Sequence, residues 1–439
     1  MKRDYLPTWL QQTLLVSLAV VIVLMPLHAF ISTWGGTAIG PLWLWKSWKE
    51  ILLAGLSVPV IVWLSLKPKR WASLVSDKLF WPIVGFVILA VLMGIAYLQF
   101  NGTDAFAAGL AMNTRYFLIF GLAYTLFRFG KFDWPVMRRR MAVFLISAGV
   151  LLGAVGLIQV KLLPIDFLSQ FGYDKDTTIA PYTLIDENPD ALRAFATLRG
   201  PNDYGAFLLL PLVLSLLFVK RNKWFLVGTA VILLGIFLSS ARSAWLAAII
   251  TILALVLLVY GSKVFRSRRA IGIAAISVGV VAVIGFAAVS IPSVRLAVFH
   301  SSPGDSSLTE GSTDQHWQAT MGGISRVAQQ PFGCGTGCAG PASYYSNDPK
   351  ISENYYVQIA EELGVVGLGL WTVIAGAVGW RLWKLRADWF ARGLLASFVG
   401  LTAIGFWLHV WSDDPLSLTW WALAGVVLGI YATKSKSTR

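Results

Sequence analysis

Charge is what this sequence has least of. Only 13% of its 439 residues are Asp, Glu, Lys or Arg, while 56% are hydrophobic, which excludes an ordinary soluble globule. Cysteine is nearly absent. Cys334 and Cys338 alone are too few for a disulfide framework. The first apolar run follows Met1-Lys-Arg without a convincing small-residue cleavage site, so a removable leader is not expected and the run reads as a retained span. The basic residues, in excess by 14 charges, fall in short clusters between apolar blocks and form no stripe or face. That excludes nucleic acid as the natural partner and leaves the membrane.

What is present is a series of long apolar blocks. Those able to cross about 30 Å of hydrocarbon lie near 12–31, 49–66, 79–98, 106–127, 141–163, 204–220, 223–239, 243–260, 270–290, 362–382, 391–411 and 416–432. The expected fold is all-α: a polytopic integral membrane protein of about twelve transmembrane helices with two long extracytoplasmic loops. The chain then divides into spans one to five (1–163), a loop (164–203), spans six to nine (204–290), a large loop (291–361), and spans ten to twelve with a tail (362–439).

Lys and Arg orient such a chain. With both termini on one side, that side collects 25 of the 36 basic residues but only Asp4, Asp77, Asp133 and Asp388 of the 22 acids. The expected orientation puts both termini in the cytoplasm and the two long loops on the outer face of the membrane. Cys334 and Cys338 would then meet an oxidising compartment, where a bridge and two free thiols both remain open.

Four outward stretches carry polar groups that a membrane edge would not tolerate idle. They are Arg193-Ala-Phe-Ala-Thr-Leu-Arg199-Gly-Pro-Asn202-Asp-Tyr204-Gly; the tight turn Ser239-Ser-Ala-Arg242; Pro331-Phe-Gly-Cys-Gly-Thr-Gly337; and Ser352-Glu353-Asn354-Tyr-Tyr356-Val-Gln358, running on to Glu362, Gly364 and Gly367. In order and spacing they resemble the signatures of the O-antigen ligase and polysaccharide polymerase superfamily, over roughly residues 190–430. The sequence departs at Glu353, where that family usually has His.

The resemblance implies a membrane glycosyltransferase of the bacterial cytoplasmic (inner) membrane, its active site facing the exterior or periplasm. It would move a glycan from an isoprenoid (undecaprenyl) diphosphate carrier to a sugar hydroxyl, as O-antigen ligase or polysaccharide polymerase. Its partners would be the lipid-linked donor, a glycan or lipid-glycan acceptor, and membrane lipids. The residues suit that chemistry on their own terms. A departing diphosphate calls for permanent, forked cations, and Arg193, Arg199 and Arg242 stand on a face that is otherwise acidic. An attacking hydroxyl needs a base; Glu353 is the candidate, with Asn354 orienting it or a sugar. Asn202, Tyr356, His409 and Asp413 are further substrate-binding candidates. No metal or cofactor is called for, since arginines can hold a diphosphate.

Plainer readings stand beside these. Arginines at a membrane edge pair with headgroups, and Glu353 suits the first turn of a helix. Glu361 and Glu362 read as structural, Gly364 and Gly367 as helix-packing residues. Arg115, mid-span, needs a buried partner, and the link Trp411-Ser-Asp413-Asp414-Pro415 reads equally as a turn or a sugar contact. Ser312 to Gln315 resembles a capping box opening an amphipathic helix with Trp317, Met321, Ile324 and Ala328 on one side, stopped at Pro331. The Trp pairs, including Trp420 and Trp421, read as interfacial belts. A rival of another class is a small-anion transporter; within the enzyme class, a protein O-oligosaccharyltransferase is a third member.

Overall fold

A computed structural model describes residues 4–185, 188–219, 222–264 and 312–434. The span expected at 270–290, the segments 263–269 and 291–311 for the most part, and the tail beyond 434 lie outside the described residues. Among those described, the protein is an all-α polytopic membrane protein. Its helices are α1 (Thr8–Leu24), α2 (His28–Ala38), α3 (Leu42–Ser65), α4 (Pro68–Val75), α5 (Phe80–Ala96), α6 (Leu98–Asn101), α7 (Thr103–Phe129) and α8 (Trp134–Lys161). After a short hairpin, β1 (Leu184–Ile185) with β2 (Asn188–Leu192), come α9 (Pro201–Phe207), α10 (Leu209–Phe218), α11 (Trp224–Leu238), α12 (Arg242–Val264), α13 (Ser312–Gln329), α14 (Tyr355–Lys384), α15 (Trp389–Ile404) and α16 (Asp414–Lys434).

Among the described residues, eight stretches are long and apolar enough to cross a membrane, nine if the α4–α5 pair, bent by 88°, counts as one span. The shorter apolar helices α11 and α15 occupy two further expected positions. Eleven of the twelve expected spans therefore coincide with described helices. The last long helix of the second loop region starts earlier than its apolar run suggests, at Tyr355 rather than 362, because Asn354 caps it.

The chain divides into two compact units. The first comprises residues 1–144, 319–395 and 405–439; the second, 145–318 and 396–404.

In the first unit α16 lies along α7. Glycine makes that closeness feasible: a Cβ on Gly425 or Gly429 would stand 2.5 Å from the backbone oxygens of Phe120 and Tyr124. Trp420 and Trp421 are fully buried there and stack edgewise on Trp411, with Trp421 also against Tyr116 and Phe117. This corrects their reading as belt residues; only the buried side of the rings was available, since α7 covers that face.

At one end of this unit the segments assigned to the side of the termini meet one another. Asp4 binds Arg70 (2.9 Å) and Lys67, Asp77 binds Arg381 and Tyr124, and Asp388 binds Arg138 (2.7 Å), Trp134 and Tyr431. Three of the four acids on that side are thus tied to its arginines. Outside the spans, the Arg70 contact lowers the Asp4 carboxyl, and Asp77 settles at about 2 because its hydrogen bonds from Arg381 and Tyr124 outweigh the burial that would raise it.

Toward the other end α14 breaks. Gly364 sits at φ 68° and ψ −176°, a conformation open essentially to glycine alone. The glycine-rich loop fills the gap: Cys334 N–H donates to Glu361 O (2.7 Å), Gly335 N–H to Glu362 O (3.1 Å), and Val365 N–H to Pro331 O (2.9 Å). Backbone groups freed by the break are satisfied by the loop, as burial requires. Cys334 and Cys338 close a disulfide within it, resolving the open alternative. The glycines of this motif thus serve a backbone-to-backbone junction.

In the second unit the β-hairpin leads the chain to the end of α11. Arg193 N–H donates to Thr183 O and Ala194 N–H to Leu238 O, each at 2.9 Å. Gln159, a lone amide in an apolar helix, accepts from the N–H groups of Phe195 (3.0 Å) and Ala196 (2.8 Å), holding Ala196 at φ 50°.

Candidate functional site

The residues singled out above fall into two clusters, one in each unit.

In the second unit, Arg193 reaches the turn that precedes α12. Its Nε donates to the Ser239 carbonyl (3.0 Å) and a terminal nitrogen to Asn202 Oδ1 (3.1 Å), which commits two of its five N–H groups. The turn itself is tight, with Ser240 at φ 49° and Ala241 N–H donating to Ser239 Oγ (3.2 Å). It places Arg242 as the first residue of α12, a long helix whose unpaired N–H groups and dipole favour an anion. Arg193 and Arg242 stand close enough to repel. Burial and then the Arg242 charge push the Arg193 guanidinium down to about 10, still protonated at neutral pH. His316, on α13, joins them: burial first, then Arg242 and Arg193, hold its imidazole below the ordinary range. A neutral ring so placed adds hydrogen bonding while the two arginines supply charge. Arg199, the third candidate arginine, is exposed.

In the first unit, Glu353 stands next to Asn354, the cap of α14. Its φ is 51°, uncommon for any residue but glycine and costly without local support. That support is visible on both sides. Ser352 is buried and its hydroxyl donates to Asn354 O (3.3 Å). Asn354 Oδ1 accepts from the N–H groups of Tyr356 (3.0 Å) and Val357 (3.1 Å), and its Nδ2 donates to Phe406 O (3.1 Å). The Asn354 amide is thus spent on capping the helix and anchoring the 405–407 loop.

Tyr356 is half-buried among Trp371 and Phe406, with ring centroids 5.4 and 4.7 Å away. One turn into the helix lies a residue whose role the motif did not reveal. Gln358 is fully buried; its Oε1 faces His409 Nδ1 (2.7 Å) and accepts from Ser412 Oγ (3.3 Å), and its Nε2 donates to Glu362 Oε1 (3.3 Å). Because Oε1 only accepts, His409 carries its proton on Nδ1. Glu362 also receives Asn113 Nδ2 from α7. Asp413 spends one carboxylate oxygen on Leu416 N–H (3.1 Å), as the cap of α16. His409 and Asp413, expected to bind substrate, lie in the link that leads into α16 and make these contacts there.

Arg115 finds its partners. It pairs with Glu50 (3.0 Å) and Asp414 and donates to the Ser412 carbonyl. Asp414 further binds Lys49 (2.8 Å) and His28 Nε2 (3.0 Å). Sequence reading recognised that Arg115 needed a partner but not which: Glu50 and Asp414 lie on other spans, and spacing along the chain does not relate them. Among the described residues no group of three or more His, Cys, Asp or Glu is arranged to hold a metal ion.

A multi-pass membrane protein with a buried-edge carboxylate and a paired-arginine turn is what these elements define. Residues 227–372, from α11 through the first half of α14, match the O-antigen ligase family, Wzy_C. The match bears out the resemblance to the O-antigen ligase superfamily and includes both Arg242 and Glu353. No curated protein matches the chain.

Proposed function

We propose that this protein transfers a glycan from a lipid diphosphate carrier to a sugar hydroxyl, in the manner of an O-antigen ligase or polysaccharide polymerase. The observation that carries the reading is Arg193 and Arg242 converging at the start of α12. Two guanidinium forks at this turn suit an anion of high charge density. A diphosphate is such an anion, and the family match points the same way. In the reaction the acceptor hydroxyl passes its proton to Glu353 as its oxygen bonds the anomeric carbon. The bond from that carbon to the carrier diphosphate breaks, and the arginines take up the charge left on the phosphate oxygens. The protein acts on the exterior or periplasmic side, with its termini in the cytoplasm. An anion-transport reading would rest on the buried charges of α3, α7 and α16, yet these are bonded to one another.

Two experiments test this. Purified protein in liposomes should convert a lipid-linked oligosaccharide into carrier diphosphate and extended or ligated glycan. The Arg242→Lys variant should fold normally and lose most of that turnover, because an ammonium cannot make the forked contact. Wild-type protein without transfer, or a Lys variant with full activity, would each count against the proposal. For orientation, a membrane-impermeant maleimide applied to intact cells should label Ser169→Cys and spare Ser76→Cys, both exposed positions. The opposite labelling overturns the topology.

A further inference from the structure

The second inference concerns α13, whose apolar stripe is turned outward. Trp317, Met321 and Ile324, spaced as one stripe, are 63%, 38% and 45% exposed, and Ala328 is exposed with them. The helix holds to its neighbours by a different face. Thr320 Oγ1 donates to Ser352 O (3.0 Å), Gly323 lies where a Cβ would come within 2.7 Å of Ser352 and Val357 side chains, and Arg326 Nε binds Glu361 (2.5 Å). A third sector, Gln318, Ser325 and Gln329, is polar and exposed. The surface of α13 beyond its packing face is thus divided lengthwise into an apolar strip and a polar strip. That division is the pattern of a helix lying in a membrane interface.

The apolar strip also has a continuation. Past the end of α13, Phe332 is 75% exposed, and Pro331 O accepts the N–H of Val365 (2.9 Å). Val365 and its neighbour Val366, each about half exposed, lie on the membrane-spanning helix α14. The stripe on α13 therefore runs into a surface that faces lipid.

We infer that α13 is a membrane-immersed interfacial helix whose stripe Met321–Ile324–Ala328–Phe332 is covered by the hydrocarbon of the bilayer. Its packing face is fastened to Ser352, the residue before Glu353, and to Val357 and Glu361 of α14. The bilayer is thereby brought alongside the segment that carries Glu353, whatever reaction that residue serves. The inference goes beyond the transfer reading and stands without it.

Site-directed spin labels in the liposome-reconstituted full chain test it. Nitroxides at Met321→Cys and Ile324→Cys should collide freely with oxygen and be shielded from a water-soluble nickel chelate. Those at Gln318→Cys and Ser325→Cys should show the reverse. All four sites are exposed, so labelling leaves the packing intact, and the native cysteines are paired. Equal nickel access at Met321 and Ser325 would place the stripe in water and overturn the inference. Exclusion of both reagents at Met321, with dipolar broadening between labels, would assign the stripe to a second copy of the chain and overturn it equally.

Discussion

Glu353→Gln should reduce glycan transfer by about 10²–10⁴-fold, the range expected when a general base is removed. The substitution keeps shape and hydrogen bonding and removes basicity. The left-handed backbone at this position is held by Ser352 and by the Asn354 cap, neither of which depends on the Glu353 charge. The variant should therefore fold and melt like wild type, and its retention of carrier diphosphate should be unchanged, since the proposed reading assigns that to Arg193 and Arg242. Glu353→His, which installs the residue usual in related proteins, should restore part of the rate with a pH dependence set by an imidazole, near 6.5 when unperturbed. The measurement is single-turnover transfer with purified protein. Wild-type turnover in Glu353→Gln would reduce Glu353 to a helix-end carboxylate. His316 would then be the next base to examine, because it sits with the arginines and is neutral at physiological pH.

Asp414→Asn should be the most damaging single change for stability. Its carboxylate faces Arg115, Lys49 and His28 at once, and Lys49 and Arg115 are buried. Removing it leaves two cations to share Glu50 alone. Breaking a buried pair costs about 3–5 kcal/mol because the abandoned charge stays out of water. The Asp414 side chain is 20% exposed, so a value toward the lower end is expected. In detergent the variant should show a clearly lowered melting midpoint. Lys49→Met added to Asp414→Asn restores the balance of charge and should recover part of the loss, a coupling that a double-mutant cycle reads directly. An Asp414→Asn protein melting with the wild type would show that the network contributes little. Activity should fall along with stability, because Arg115 also grips Ser412, and Ser412 binds the Gln358 that positions the start of α14.

Much of the architecture was legible in the chain. Long apolar blocks separated by basic clusters need no partner to be recognised, because the bilayer acts on each block separately. The same holds for the arrest of α13 at Pro331 and for the Ser239–Arg242 turn, where local chemistry decides. Tertiary structure was needed wherever a side chain's role depends on what lies opposite. Asn354, expected to orient the base or a sugar, caps α14. His409 and Asp413, candidates for substrate contact, meet Gln358 and the start of α16. Trp420 and Trp421 looked like an interfacial pair and fill the space against α7.

The glycine-rich motif marks the boundary between the two kinds of knowledge. Its composition announces close approach, since only glycine adopts the positive φ seen at Gly333, Gly335 and Gly337. What it approaches, the break in α14 at Gly364, lies on another segment. By itself the sequence determined the class of protein and where its apolar helices lie along the chain, because these follow from local hydrophobicity. Which partner each polar group meets was decided only by the packing of distant helices. A buried charge or amide is satisfied by whatever the fold places within about 3 Å, and spacing along the chain does not encode that distance.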